Sequence, residues 1–155
     1  MDAAQVIGSE PVATLIVVPK GFGTSAARSA GAVNLVGGAI LPLIMKASRG
    51  RKKPPSDVVF DTPGFGGKGL LALTATELVL APGSRSRAPK VIARRPRSEI
   101  AFAERYGTAF PTSAPLVIAF KSGHGWYFEF PWTHGRAARK ILPLLKADGQ
   151  AALQS

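Results

Sequence analysis

Residues 115–131, PLVIAFKSGHGWYFEFP, decide the fold of this chain. Leu116, Ile118 and Phe120 alternate on one side of an extended run. Trp126, Phe128 and Phe130 then alternate against Tyr127 and Glu129 on the return. Period-two alternation either side of a glycine-bearing turn, here SGHG at 122–125, predicts an antiparallel hairpin with one buried face. The outward positions hold Glu129, as do Glu99 and Glu104 on the preceding run, and surface arginines are their expected partners.

Working back towards the N-terminus, the same periodicity persists. In SEIAFAE, residues 98–104, Ile100 and Phe102 share a face opposite Glu99, Ala101 and Ala103. The linker SRSRAPK and then KVIARR precede it. GLLALTATELVLAPG, residues 69–83, predicts two strands, with Leu71 and Leu73 on one and Leu78 and Leu80 on the other, about a turn at Thr74–Thr76. VVF at 58–60 is a short strand, and VATLIVV at 12–18 is a β-branched run stopped by Pro19. Working forward, THGRAARKILPLLKADG places Ala137, Ile141 and Leu145 four apart while Arg136, Arg139, Lys140 and Lys146 point elsewhere. That is an amphipathic helix with Thr133 as N-cap, a disturbance at Pro143 and a stop at Gly149.

Strands followed by one closing helix give a mainly β, α+β class. The segments GLLALTATELVL, RPRSEIAFAE, LVIAFKSGHGWYFEFP and RAARKILPLL, spanning 69–147, resemble the bacterial pleckstrin-homology-like (PH-like) superfamily. That resemblance implies a seven-stranded, strongly bent pair of sheets with the C-terminal helix plugging one open end. It makes 12–18 the first strand and 11–147 a single domain between tails at 1–10 and 148–155. Residues 19–68, with a helix at about 24–46, become an insertion at the loop where lipid-binding members hold headgroup phosphates.

SAGAVNLVGGAILPLIM, residues 29–45, is uncharged, yet it is no confident membrane span. Its seventeen residues include three glycines, Asn34 and Pro42, whereas a crossing needs about 20 predominantly apolar ones. With 12–18 paired to strands after 69, both its ends also lie on one side of any bilayer. Two uses remain: packing against the sheet, or lying in a membrane interface through Val33, Leu35, Val36, Ile40, Leu41, Leu43 and Ile44. Lys46, Arg49, Arg51, Lys52 and Lys53 follow it directly. The spacing from Lys46 to Arg51 resembles the basic pattern of phosphoinositide-binding PH domains. Pro54-Pro55 discourages a strand there, so it supports an anionic preference and no particular headgroup.

The 155-residue chain carries a net charge of +11 and 46% hydrophobic residues. That combination suits a folded domain drawn to acidic partners. A second basic group comprises Arg85, Arg87, Lys90, Arg94, Arg95 and Arg97. It is the best case for tracking nucleic-acid phosphates, but no aromatic lies between 66 and Phe102 to stack bases. With no cysteine, disulfides and thiolate metal sites are excluded.

Nucleotide motifs fail on inspection. Gly21-x-Gly23-x-x-Ala26 after a strand has no acidic residue near twenty positions on and no further βα units. Gly67-Lys68 has Thr62 where a P-loop needs glycine and Gly69 where it needs Ser or Thr. His124 and His134 have no ligand cluster nearby, and no Ser-His-Asp set has local support. The expectation is a non-enzymatic module without cofactor or metal that binds an anionic lipid or acidic protein surface. Its alternatives are a nucleic-acid-binding β domain and a subunit-assembly domain. The N-terminus, with Asp2 and Glu10 and no apolar core before Pro11, lacks a signal peptide's design. That points to the cytoplasm, with peripheral attachment at the inner membrane face.

Overall fold

The computed structural model describes residues 3–20, 55–83, 90–107 and 113–154, with side chains as far as 149. A short helix α1 (Ala3–Ile7) precedes eight strands and a long helix α2 (Gly135–Gln154). The strands are β1 (Ala13–Pro19), β2 (Val59–Phe60), β3 (Gly69–Leu73), β4 (Glu77–Pro82), β5 (Ala93–Pro96), β6 (Ile100–Arg105), β7 (Ser113–Phe120) and β8 (His124–Pro131).

Seven strands run in the order β5-β4-β3-β1-β8-β7-β6, and β2 pairs with β8 off that path. Every pairing along the path is antiparallel, whereas β2 runs parallel to β8. β1 joins the two halves: Ala13–Val17 pair with β3, then Val18 and Pro19 pair with β8. The run 12–18 is therefore built into the same sheet as the later hairpins. One core lies between the halves, drawing Leu15 and Val17 from β1, Leu71 and Leu80 from the first half, and Leu116, Ile118, Trp126 and Phe128 from the second. Ala138, Ile141 and Leu145 of α2 complete it. On the opposite face of the first half, Ile7 of α1 packs on Ala72 and Val79.

The core side of the β7–β8 hairpin appears as expected, with Leu116, Ile118, Phe120, Trp126, Phe128 and Phe130 all buried, but the other face is not open: Val117, Ala119 and Glu129 are buried too. Trp126 meets Phe120 and Phe128 edge-on, at centroid distances of 5.2 and 6.0 Å. The two turn glycines have different jobs. Gly123, at φ +89°, makes the turn, while Gly125 already lies in β8. A Cβ at Gly125 would stand 2.7 Å from Val58 Cγ1 and 2.9 Å from the Ile118 carbonyl, so it is glycine to admit the chain crossing above it. At the β3–β4 turn the Thr74 hydroxyl accepts from the amides of Thr76 (3.3 Å) and Glu77 (2.9 Å), which closes the turn without glycine.

Several details differ from the sequence expectation. Register shifts between Ile100 and Phe102, so Ala103 rather than Phe102 enters the core beside Ile100. A bulge adds a residue and reverses the alternation beyond it. Gly149 does not stop α2, which continues to Gln154, so 148–154 is helix rather than tail. A Cβ at Gly149 would lie 2.7 Å from Ala101 O and 3.0 Å from Phe102 Cα. Glycine there lets the helix backbone seat on the bulge. Thr133 does not occupy the N-cap position, because it lies inside a 3-10 turn, Trp132–His134, that runs directly into the helix at Gly135. Residues 3–7 of the expected N-terminal tail form α1.

Pro143 lies inside α2 on its exposed side. A proline there withdraws the N–H that would meet the Arg139 carbonyl, on a side of the helix where both residues are exposed, so water can serve that carbonyl and the helix tolerates the proline. Glu129, expected outside, is 7% exposed; Ser113 Oγ donates to its Oε1 at 3.2 Å and Oε2 has no partner.

Candidate anion-binding surface

Two sets of cations behave differently in the structure. The first is the β5 run, meaning β5 with the 3-10 turn after it, Arg97–Glu99. Arg97 grips Asp148 of α2 in a bidentate fork, with Nε and Nη2 each 2.9 Å from a carboxylate oxygen. Its Nη1 also donates to the Thr74 carbonyl at 3.0 Å. Arg94 pairs with Glu77 at 2.8 Å and donates to the Ile7 carbonyl, tying α1 to the sheet. Arg95 lies 3.7 Å from Glu99 and 3.8 Å from Asp61, with its guanidinium over the Phe120 ring. His124 Nδ1 is 3.3 Å from the same Asp61.

Arg94, Arg95 and Arg97, candidate headgroup ligands by sequence, are thus held by internal acceptors and join β5 and the turn after it to α1, β4, the segment before β3 and α2. Lys90 is exposed. Lys46, Arg49, Arg51, Lys52, Lys53, Arg85 and Arg87 lie outside the described residues, as do Val33, Leu35, Val36, Ile40, Leu41, Leu43 and Ile44.

The second set was not singled out as a site from sequence. Ala138, Ile141, Leu145 and Gly149 form the buried stripe of α2; Arg136, Arg139, Lys140, Pro143 and Lys146 are exposed opposite it. That outer face carries no carboxylate. Asp148 lies towards the flank and is taken by Arg97. Arg105, at the end of β6, adds a further exposed cation beside the helix. Arg105, Arg139 and Lys146 line an open depression of about 420 Å³ together with Leu142 and Pro143. At the start of the helix Trp132 is 51% exposed.

Much of this surface had a sequence signal. Between Pro131 and Ala147 there are four Lys or Arg and no Asp or Glu. Arg105 had none, because thirty-odd residues and a strand pair separate it from the helix it meets.

Several of the described carboxylates are engaged away from the second set. Asp61, Glu77, Glu99 and Asp148 all pair with groups elsewhere, and Glu129 is buried. Two phenols have shifted acidity, Tyr106 directly after Arg105 and Tyr127 on β8. Burial, then the Glu104 charge, raises the Tyr106 pKa; burial, then Glu129, raises that of Tyr127. Both stay neutral at physiological pH. Among the described residues no group of three His, Asp or Glu is placed to hold a metal ion, and no helix is long and apolar enough to cross a membrane. The arrangement can offer exposed positive charge, with an apolar wall and an aromatic at one end, to an anionic partner. Comparison with protein-family models, with curated proteins and with solved structures yields no match to this chain.

Proposed function

We propose that the protein is a non-enzymatic, PH-like binding module that associates peripherally with anionic membrane surfaces. The observation that carries this is the outer face of α2: Arg136, Arg139, Lys140 and Lys146, joined by Arg105, with no carboxylate among them. A seven-strand antiparallel path turning at β1 and completed by one C-terminal helix supports the PH-like part. Each basic residue near an acidic bilayer contributes about 1 kcal/mol, so several together sustain reversible attachment. Trp132 suits the headgroup region, where an indole buries its ring and keeps its N–H wet.

Nucleic acid is the weaker reading. Trp126, Phe128 and Phe130 are buried, which leaves Trp132 as the exposed large aromatic among the described residues. Stacking platforms for single strands use several.

Flotation with phosphatidylcholine vesicles, with and without phosphatidylserine, at low and high salt tests the proposal. Recovery with the acidic vesicles at low salt, lost as salt rises, is the expected result. Equal recovery with neutral and acidic vesicles overturns it. A gel shift with random single- and double-stranded DNA that outcompetes the vesicles transfers the surface to the nucleic-acid reading.

A further inference from the structure

Within that basic surface the depression between β6 and α2 differs from the rest. Arg136 and Lys140 stand on an open helix face. Arg105, Arg139 and Lys146 instead converge from two elements on one concavity, walled by Leu142 and Pro143. Its volume of about 420 Å³ falls within the roughly 300–1,000 Å³ typical of small-ligand clefts.

Three like charges around one hollow repel each other and gain nothing from the fold. Among the described residues none of the three has an ion-pair partner, and no carboxylate lines the hollow. In the β5 run, by contrast, every arginine meets an acceptor. The cations around the hollow therefore stand ready for a ligand that brings its own negative charge. Two guanidinium forks and an ammonium suit a compact, multiply charged group with several acceptor oxygens better than a single carboxylate.

We infer that the depression lined by Arg105, Arg139 and Lys146 is a discrete subsite for a phosphomonoester group. This rests on the anionic-surface reading above and adds a preference to it. Leu142 and Pro143 contact whatever carries the phosphate, either the glycerol of a lipid or the carbon skeleton of a soluble phosphate ester.

The test uses the full chain and phosphatidylcholine vesicles containing either phosphatidic acid, a phosphomonoester, or phosphatidylserine, a phosphodiester. The two are matched in surface charge by electrophoretic mobility. The subsite predicts about tenfold tighter binding to phosphatidic acid. Arg105→Gln and Arg139→Gln erase that preference. Arg136→Gln, outside the hollow, weakens binding to both vesicles alike, by about fivefold. In parallel, inorganic phosphate is titrated into the labelled protein and followed by amide NMR. Saturable shifts centred on 105, 139 and 146 without a vesicle preference support the subsite and assign it to soluble phosphate esters. Equal binding to the matched vesicles with no saturable phosphate shifts overturns the subsite and leaves the surface reading standing. Failure to bind either acidic vesicle, again without phosphate shifts, overturns both.

Discussion

The β5 run and the outer face of α2 are both rich in basic residues, yet they do opposite things with their charge. In the first, Arg94, Arg95 and Arg97 are spent on Glu77, Asp61, Glu99 and Asp148, and on the carbonyls of Ile7 and Thr74. In the second, Arg105, Arg136, Arg139, Lys140 and Lys146 face solvent without acids. Charge density along the chain does not separate the two. What separates them is whether the fold delivers an acceptor. A guanidinium with two carboxylate oxygens at 2.9 Å is structural; one facing water opposite a buried stripe is left open to solvent.

Substitutions can break or sharpen this contrast. The largest effect is expected at Arg97. Arg97→Ala strands Asp148 and the Thr74 carbonyl in a partly buried site and costs about 2–3 kcal/mol. That is a fall in Tm of roughly 6–9 °C for a chain of this size, read by calorimetry. Arg97→Lys recovers only part of it, because an ammonium cannot reproduce the planar fork; full recovery would reduce the site to simple charge pairing.

Next comes Gly149→Ala. Helix propensity favours alanine by about 1 kcal/mol. Against it, the new Cβ would meet the Ala101 carbonyl and Phe102 Cα, which are backbone atoms that cannot rotate away. Overpacking of this kind costs about 1–3 kcal/mol, so net destabilisation is expected in a urea melt. A gain in stability would show that α2 shifts freely on the bulge.

A smaller loss follows from Arg94→Ala. Its pair with Glu77 is well exposed, at 40% and 37%, and solvent screening holds such pairs to about 1 kcal/mol or less. The smallest stability effect is the most diagnostic. The double variant Arg139→Gln with Lys146→Gln leaves the melt within about 0.5 kcal/mol of the parent, yet lowers affinity for acidic vesicles by more than tenfold. A clear drop in Tm would place these residues with the locked arginines instead.

How far the sequence could be read varies by element. The β7–β8 hairpin was legible because its large apolar side chains alternate from Leu116 to Phe130, even though Val117, Ala119 and Glu129 on the other face are buried as well. The paired leucines of β3 and β4 were legible for the same reason. β6 was only partly so: the side-chain rule gave Phe102 to the core, and the bulge gave that place to Ala103. Gly149 carried a helix-stop signal locally, but its role is set by a strand that lies about fifty residues away in the chain.

The basic surface shows the same division. The four cations and absent acids of 131–147 were readable, whereas Arg105 joins them only because β6 packs against α2. For Arg94, Arg95 and Arg97, sequence shows the charge but not the acceptors, which come from β4, from α2 and from the segment before β3.

From the chain alone follow the β-rich class, the core hairpin and its aromatics, the amphipathic closing helix and the strong positive charge. These depend on periodicity and composition, which are local and cumulative. Tertiary structure decided the rest: that β1 bridges both halves of the sheet, that Glu129 is buried, and which arginines are neutralised and which stay open. Such outcomes turn on distances of a few ångströms between residues remote in sequence, because pairing energy falls away as soon as water can separate the charges.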